Sequence, residues 1–252
     1  MSSAAARIRA ALAVLIAWAL PQAGAADEIV VAGAVSLRAP LQEIVRRYEA
    51  TRPGVRLVLT SGASSFLAAQ LRAGAPIDLL VAADTRIVDD LVSEGLVNAS
   101  DRQTLATNRL VAMARPGLSP SPTNAAALAT PGIRRIAMPD GAVPVGRYAR
   151  EWLARRGLLD RLAPRFVLTE HARATLAAVD AGHADVALVY ATDARLARHA
   201  TIAFEIPAAE QPRIVYGVAL VRDAAPEAAG FFSWLASPTA RQILQRAGFG
   251  AP

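Results

Sequence analysis

Ser36, Ser64, Val145 and Ala172 share one kind of position: each stands where a hydrophobic run stops and a helix-patterned segment begins. A helix N-terminus carries unpaired backbone N–H groups and the positive end of the macrodipole. Four such ends brought together would make a cage for a small anion without any cationic side chain. Taken singly, each position has a plainer reading. Ser36 and Ser64 fit ordinary N-caps, Val145 after Pro144 an ordinary helix start, and Ala172 a first-turn residue.

Other chemistries find little support. The serine-rich stretch from Ser61 to Phe66 lacks the second glycine of a nucleophile elbow, and the chain has no lysine to serve as a partner base. His171, His183 and His199 are 12 and 16 residues apart, far from the i, i+4 zinc spacing, and read as surface or helix-end histidines. Of these, only His171 adjoins a junction. There is no phosphate-loop or dinucleotide glycine motif. With no cysteine, disulfides, thiol nucleophiles and thiolate metal sites are excluded. No catalytic residue, resident metal or cofactor is expected.

Arg7 and Arg9 precede an apolar stretch from Ala10 to Leu20, followed by Pro21 and the small residues Ala23, Gly24 and Ala25. This is the pattern of a secretory signal over residues 1–25, too short for the ~20 residues of a spanning helix. An exported, periplasmic protein of about 227 residues is expected. The formal charge of +6 falls to +4 without Arg7 and Arg9, and the arginines are scattered with no interleaved aromatics. Nucleic acid is therefore not an expected partner.

The junctions need elements to hold them. Strand-like runs at Ile29–Ala32, Val55–Leu59 and Asp78–Val81 alternate with helical periodicity, and the alternation resumes at Ile136–Met138, Phe166–Leu168 and Val186–Tyr190. Such β-α-β order predicts an α/β protein of two lobes, each a mostly parallel sheet flanked by helices, with ligand in the cleft beyond the carboxyl ends of the strands. The expected organisation is a first lobe over 26–107, a second over 108–215, and a return to the first over 216–252.

Several segments resemble the periplasmic molybdate-binding proteins of molybdate ABC transporters. They are Ala32-Gly33-Ala34-Val35-Ser36-Leu37, Ser61 to Ala68, Gly74 to Asp84, Val143-Pro144-Val145-Gly146-Arg147-Tyr148-Ala149 and Leu188 to Ala194, together with Arg102 to Leu105 and Ala247-Gly248-Phe249. Their joint order spans essentially the whole mature chain. The resemblance implies a two-lobed periplasmic-binding-protein fold and a site for molybdate, with tungstate as a further cargo, built from Ser36 and Ser64 in the first lobe and Val145, Ala172 and Tyr190 in the second. Ala83 is a further contact. It also implies delivery to a permease with a cytoplasmic ATPase by a monomeric receptor. Val35, Val145 and Phe66 replace smaller residues of the family pattern, which leaves the size of the cavity open. The Tyr190 hydroxyl is expected near the cleft edge.

Physical chemistry explains how such a site works. A buried dianion loses so much hydration that every oxygen must receive donors. Each hydrogen bond to a charged partner contributes roughly 1.5–3 kcal/mol, so about six or seven reach micromolar to nanomolar affinity after ordering costs. The alternatives are a receptor for sulfate or a carboxylate, for which Arg147 and Arg173 lie close to their junctions, and a secreted hydrolase.

Overall fold

The computed structural model describes residues 27–252. The segment read as a secretory signal, residues 1–25, lies outside the described residues. In chain order the first lobe opens with β1 (Asp27–Ala34), α1 (Arg38–Glu49), β2 (Val55–Gly62), α2 (Ser64–Arg72), β3 (Leu79–Ala82), α3 (Thr85–Ser93) and β4 (Val97–Asn108). The second lobe holds β5 (Leu110–Ala114), β6 (Ile136–Pro139), α4 (Pro144–Arg155), the short α5 (Leu159–Leu162), β7 (Phe166–Thr169), α6 (Ala172–Asp180), β8 (Val186–Tyr190), the single turn α7 (Ala191–Ala194) and β9 (Thr201–Glu205). The chain then returns through β10 (Ile214–Val221), α8 (Ala228–Trp234) and α9 (Pro238–Arg246).

Each lobe has a five-stranded sheet, ordered β2-β1-β3-β10-β4 in the first and β7-β6-β8-β5-β9 in the second. In each, three neighbouring strands pair in parallel, and one reversed strand, β10 or β5, pairs antiparallel on both sides. Four of five strands therefore share a direction. The two sheets repeat one topology although the sequence shows no internal repeat. In both, the reversed strand is the first one laid down after the chain crosses between lobes. The crossings fall at Arg109 and between β9 and β10, so the return strand starts at Ile214, just inside the stretch assigned from sequence to the second lobe.

Two strands escaped the periodicity reading. β4 is polar over most of its length, with only Val97, Leu105, Ala106 and Asn108 buried, and β9 is a largely exposed edge strand. Neither carries the apolar run that marks the buried parallel strands. β3 and β8, buried at every position, were plain.

The helix ends explain the local folding. Asp84 caps α3, its Oδ1 accepting from the Arg86 N–H at 3.1 Å, and Ser237 caps α9. Pro144 occupies the first position of α4, where its missing N–H costs nothing. Gly74, Gly95, Gly157 and Gly182 follow helix ends with positive φ, a conformation open to glycine without strain. The helix C-termini are thus turned away while the N-termini of α2, α4 and α6 point at the space between the lobes.

Candidate functional site

Between the lobes lies a small cavity lined by Ala34, Val35, Ser36, Gly62, Ala63, Ser64 and Ala83 from the first and by Val143, Pro144, Val145, His171, Ala172 and Tyr190 from the second. All six residues read from sequence as binding positions meet there. The cavity is small, about 20 Å³. Neither arginine nor any carboxylate lines it.

The junctions differ in detail. Ser64 is the first residue of α2 and Ala172 the first of α6, whereas Val145 is the second of α4. Ser36 sits in a 3-10 turn, Val35–Leu37, that leads into α1. Neither serine is an N-cap: Ala34 and Ala63 hold those positions and make no side-chain cap bond. Both hydroxyls are thereby free of the duty that would normally consume them. In α4 the first helical bond runs from the Arg147 N–H to the Val143 carbonyl. The N–H groups of Val145 and Gly146 therefore have no partner within the helix. His171 caps α6, its Nδ1 accepting from the Ala174 N–H at 3.0 Å, so the Ala172 N–H remains for the cavity.

The hydroxyls are oriented by what stands behind them. Ser64 Oγ accepts from the Ala83 N–H at 3.0 Å, and Ser36 Oγ lies 3.0 Å from Tyr216 Oη. The Tyr190 hydroxyl is buried with no hydrogen-bond partner in the protein, and burial pushes its pKa well above the ordinary phenol value. An orphaned buried hydroxyl costs about 1–3 kcal/mol unless a partner arrives. Tyr190, expected near the cleft edge, is instead fully enclosed at 1% exposure. Ala83 serves the site through Ser64, since its N–H is spent on that oxygen.

The two arginines that kept a carboxylate ligand open are engaged elsewhere. Arg147 Nε donates to Asp84 Oδ2 at 2.8 Å across the cleft and Nη1 meets Glu151 at 3.3 Å. Arg173 Nε lies 2.7 Å from Asp193 Oδ1. Arg147 also stacks 4.1 Å over the Tyr148 ring, and the Tyr148 hydroxyl reaches the Ala83 carbonyl at 3.4 Å. These contacts tie α4 of the second lobe to the end of β3 in the first, so the lobes are drawn together beside the cavity. Of the departures from the family pattern, Val35 and Val145 line the cavity while Phe66 does not; 60% exposed, it lines a neighbouring groove with Glu170 and His171. Among the described residues no cluster of acidic or histidine side chains could hold a metal cation.

Asp193, buried behind α6, has both carboxylate oxygens outside hydrogen-bond alignment despite the Arg173 contact. Desolvation outweighs the arginine and pushes its pKa up from 3.8 to about 6. Between those values the folded protein holds a proton that the unfolded chain releases. The contribution of this group is fully present below about pH 4 and is lost as pH rises through about 6. Asp193→Asn should remove that decline. Urea midpoints measured from pH 4 to 8 are expected to show the variant gaining on wild type as pH rises; parallel curves would mean that Asp193 ionises as freely folded as unfolded.

Residues 29–250 match the family described as bacterial extracellular solute-binding protein. The molybdate-binding protein ModA of Escherichia coli (strain K12) is 34% identical over 236 residues, covering 89% of this chain and 90% of that protein. Among solved structures, the periplasmic molybdate-binding protein of Azotobacter vinelandii aligns with a TM-score of 0.78 at 26% identity, over 89% of this chain and 99% of that one. The sulfate-binding protein SubI of Mycobacterium tuberculosis H37Rv, at 17% identity and a TM-score of 0.76 over 88% and 86% of the two chains, shares the fold. A fold common to receptors for different anions leaves the choice of anion to the cavity. With its two like sheets, its interlobe cavity and a match over nearly its whole length, the chain belongs to the bacterial extracellular solute-binding protein family.

Proposed function

We propose that this protein captures molybdate in the interlobe cavity and delivers it to an ABC importer, with tungstate as a second cargo. One observation carries the reading: a small cavity lined from both lobes by hydroxyls and helix N-terminal N–H groups, with no charged carboxylate or guanidinium in its wall. A compact dianion needs many donors and little space. So small a space suits a compact tetrahedral oxyanion. The ligand is held by Ser36, Ser64 and Tyr190 through hydroxyls and by Val145 and Ala172 through backbone N–H groups.

The role is binding rather than catalysis. No base stands beside either serine: Ser64 faces a backbone N–H and Ser36 a phenol. The receptor works as an exported monomer that docks, when closed around its ligand, on a membrane permease with a cytoplasmic ATPase. No cofactor takes part. Among the described residues no helix is long and apolar enough to cross a membrane.

Ligand binding to the folded state raises its melting temperature by mass action. Molybdate and tungstate at submillimolar concentration are expected to raise it by several degrees, with sulfate, phosphate and amino acids giving less. A shift with sulfate and none with molybdate would reassign the receptor to sulfate. A shift with amino acids alone would refute the cavity as the site.

A further inference from the structure

We propose that Asn108 and Tyr216, which do not line the cavity, determine its selectivity by fixing the direction of the Ser36 hydroxyl proton. This rests on the oxyanion reading given above. Asn108 Oδ1 accepts from the Arg109 N–H at 2.8 Å, which sets the orientation of the amide. Its Nδ2 then faces two oxygens and donates to both, Thr192 Oγ1 at 2.9 Å and Tyr216 Oη at 3.2 Å. Tyr216 is fully buried, and desolvation raises its pKa far above the ordinary value, so it stays a phenol with one proton to give. Its oxygen already accepts from Asn108. The proton therefore goes to Ser36 Oγ at 3.0 Å. Ser36, accepting on that side, has its own proton left for the cavity.

Ser64 is set the same way by the Ala83 N–H. Both serines thus have one lone pair occupied and a proton to give, beside backbone N–H groups that can only donate. An anion that carries a proton, such as hydrogenphosphate or hydrogenarsenate, needs an acceptor for it and meets donors instead. A fully deprotonated tetrahedral dianion has no such conflict. Asn108 stands at the crossing between the lobes and bonds to Thr192 in the second and Tyr216 in the first. The run that orients Ser36 is consequently assembled from both lobes.

A double-mutant cycle tests this, with molybdate and phosphate affinities measured by calorimetry for wild type, Ser36→Ala, Tyr216→Phe and the double variant. Tyr216→Phe is expected to weaken molybdate about fivefold to tenfold and to narrow the preference over phosphate, because Ser36 can then turn a lone pair inward. In the Ser36→Ala background the same change should cost less than about twofold, since no serine proton remains to be directed. An equal cost in both backgrounds would show that Tyr216 acts by packing and would overturn the proposal. Asn108→Ala, which leaves the phenol free to turn, repeats the cycle should Tyr216→Phe fail to fold; its effect must also vanish without Ser36. If wild type ignores molybdate but binds another tetrahedral dianion, the molybdate reading fails while the cycle, run with that ion, still decides the relay. A protein that binds no such dianion overturns both.

Discussion

Gly146→Ala is expected to lose oxyanion binding by at least about tenfold and to fold less stably, although the glycine offers the ligand no side chain. A Cβ at position 146 would press on the carbonyl oxygen of Asp140, and would stand 2.5 Å from the Pro139 carbonyl oxygen and 2.8 Å from its carbon. All three are backbone atoms at the end of β6 and cannot swing aside. The start of α4 must move instead, carrying the Val145 N–H away from the cavity. Overpacking of this kind costs about 1–3 kcal/mol, and contact with fixed backbone puts this case at the upper end. Gly141→Ala is the control, because its added methyl meets only the flexible Arg150 side chain at 3.3 Å. Urea unfolding and molybdate titration of the two variants check the claim. Wild-type behaviour of Gly146→Ala in both would mean that the start of α4 has slack and does not set the site.

Ser64→Ala should have the second-largest effect and, unusually for a ligand contact, should show it without ligand. The hydroxyl has two duties. Its proton is available to the anion, a hydrogen bond to charge contributing about 1.5–3 kcal/mol, or roughly tenfold to a hundredfold in affinity. Its oxygen accepts from the Ala83 N–H in a place where Ser64 is 2% and Ala83 3% exposed. Removing it leaves that N–H buried without a partner, at a further cost of about 1–3 kcal/mol in the apo protein. Sequence alone suggested only the first of these. Thermal unfolding without molybdate and calorimetry with it separate them. An unchanged affinity would remove Ser64 from the site, and an unchanged apo stability would mean that the Ala83 N–H finds another acceptor.

The contrast shows what the chain discloses in one dimension. Ser36, Ser64, Val145 and Ala172 stood out because each follows a strand-like run, and strand ends of a mostly parallel sheet gather at one edge; Tyr190, the last residue of β8, was picked out only by the resemblance. β3, β8 and the Ile29–Ala32 part of β1 were legible by their unbroken apolar character. β4 and β9 were not, having one face or more in water and no apolar run. The support behind the site was hidden for a different reason. Tyr216 lies 180 residues from Ser36 and 108 from Asn108, and no local pattern announces a hydrogen bond at that separation. A tyrosine in an otherwise apolar strand is the one hint, since its hydroxyl must find a partner when buried. Arg147 and Arg173 were visible as charges near the junctions, but their partners, Asp84 and Asp193, became evident only in three dimensions.

The position of β10 bears on how the chain comes to be folded at all. This strand sits between β3 and β4, yet it is made more than a hundred residues after either. Until it arrives, β3 has an open apolar edge toward the gap and β4 has no neighbour in the sheet. The first lobe therefore cannot close when its own residues are first available. It waits for the whole of the second lobe, which has every strand of its sheet within one continuous stretch and is free to condense as a unit. Contacts this distant in sequence slow the search for the native state more than they change its depth. The earliest-synthesised lobe thus cannot complete its sheet until nearly the whole chain is available.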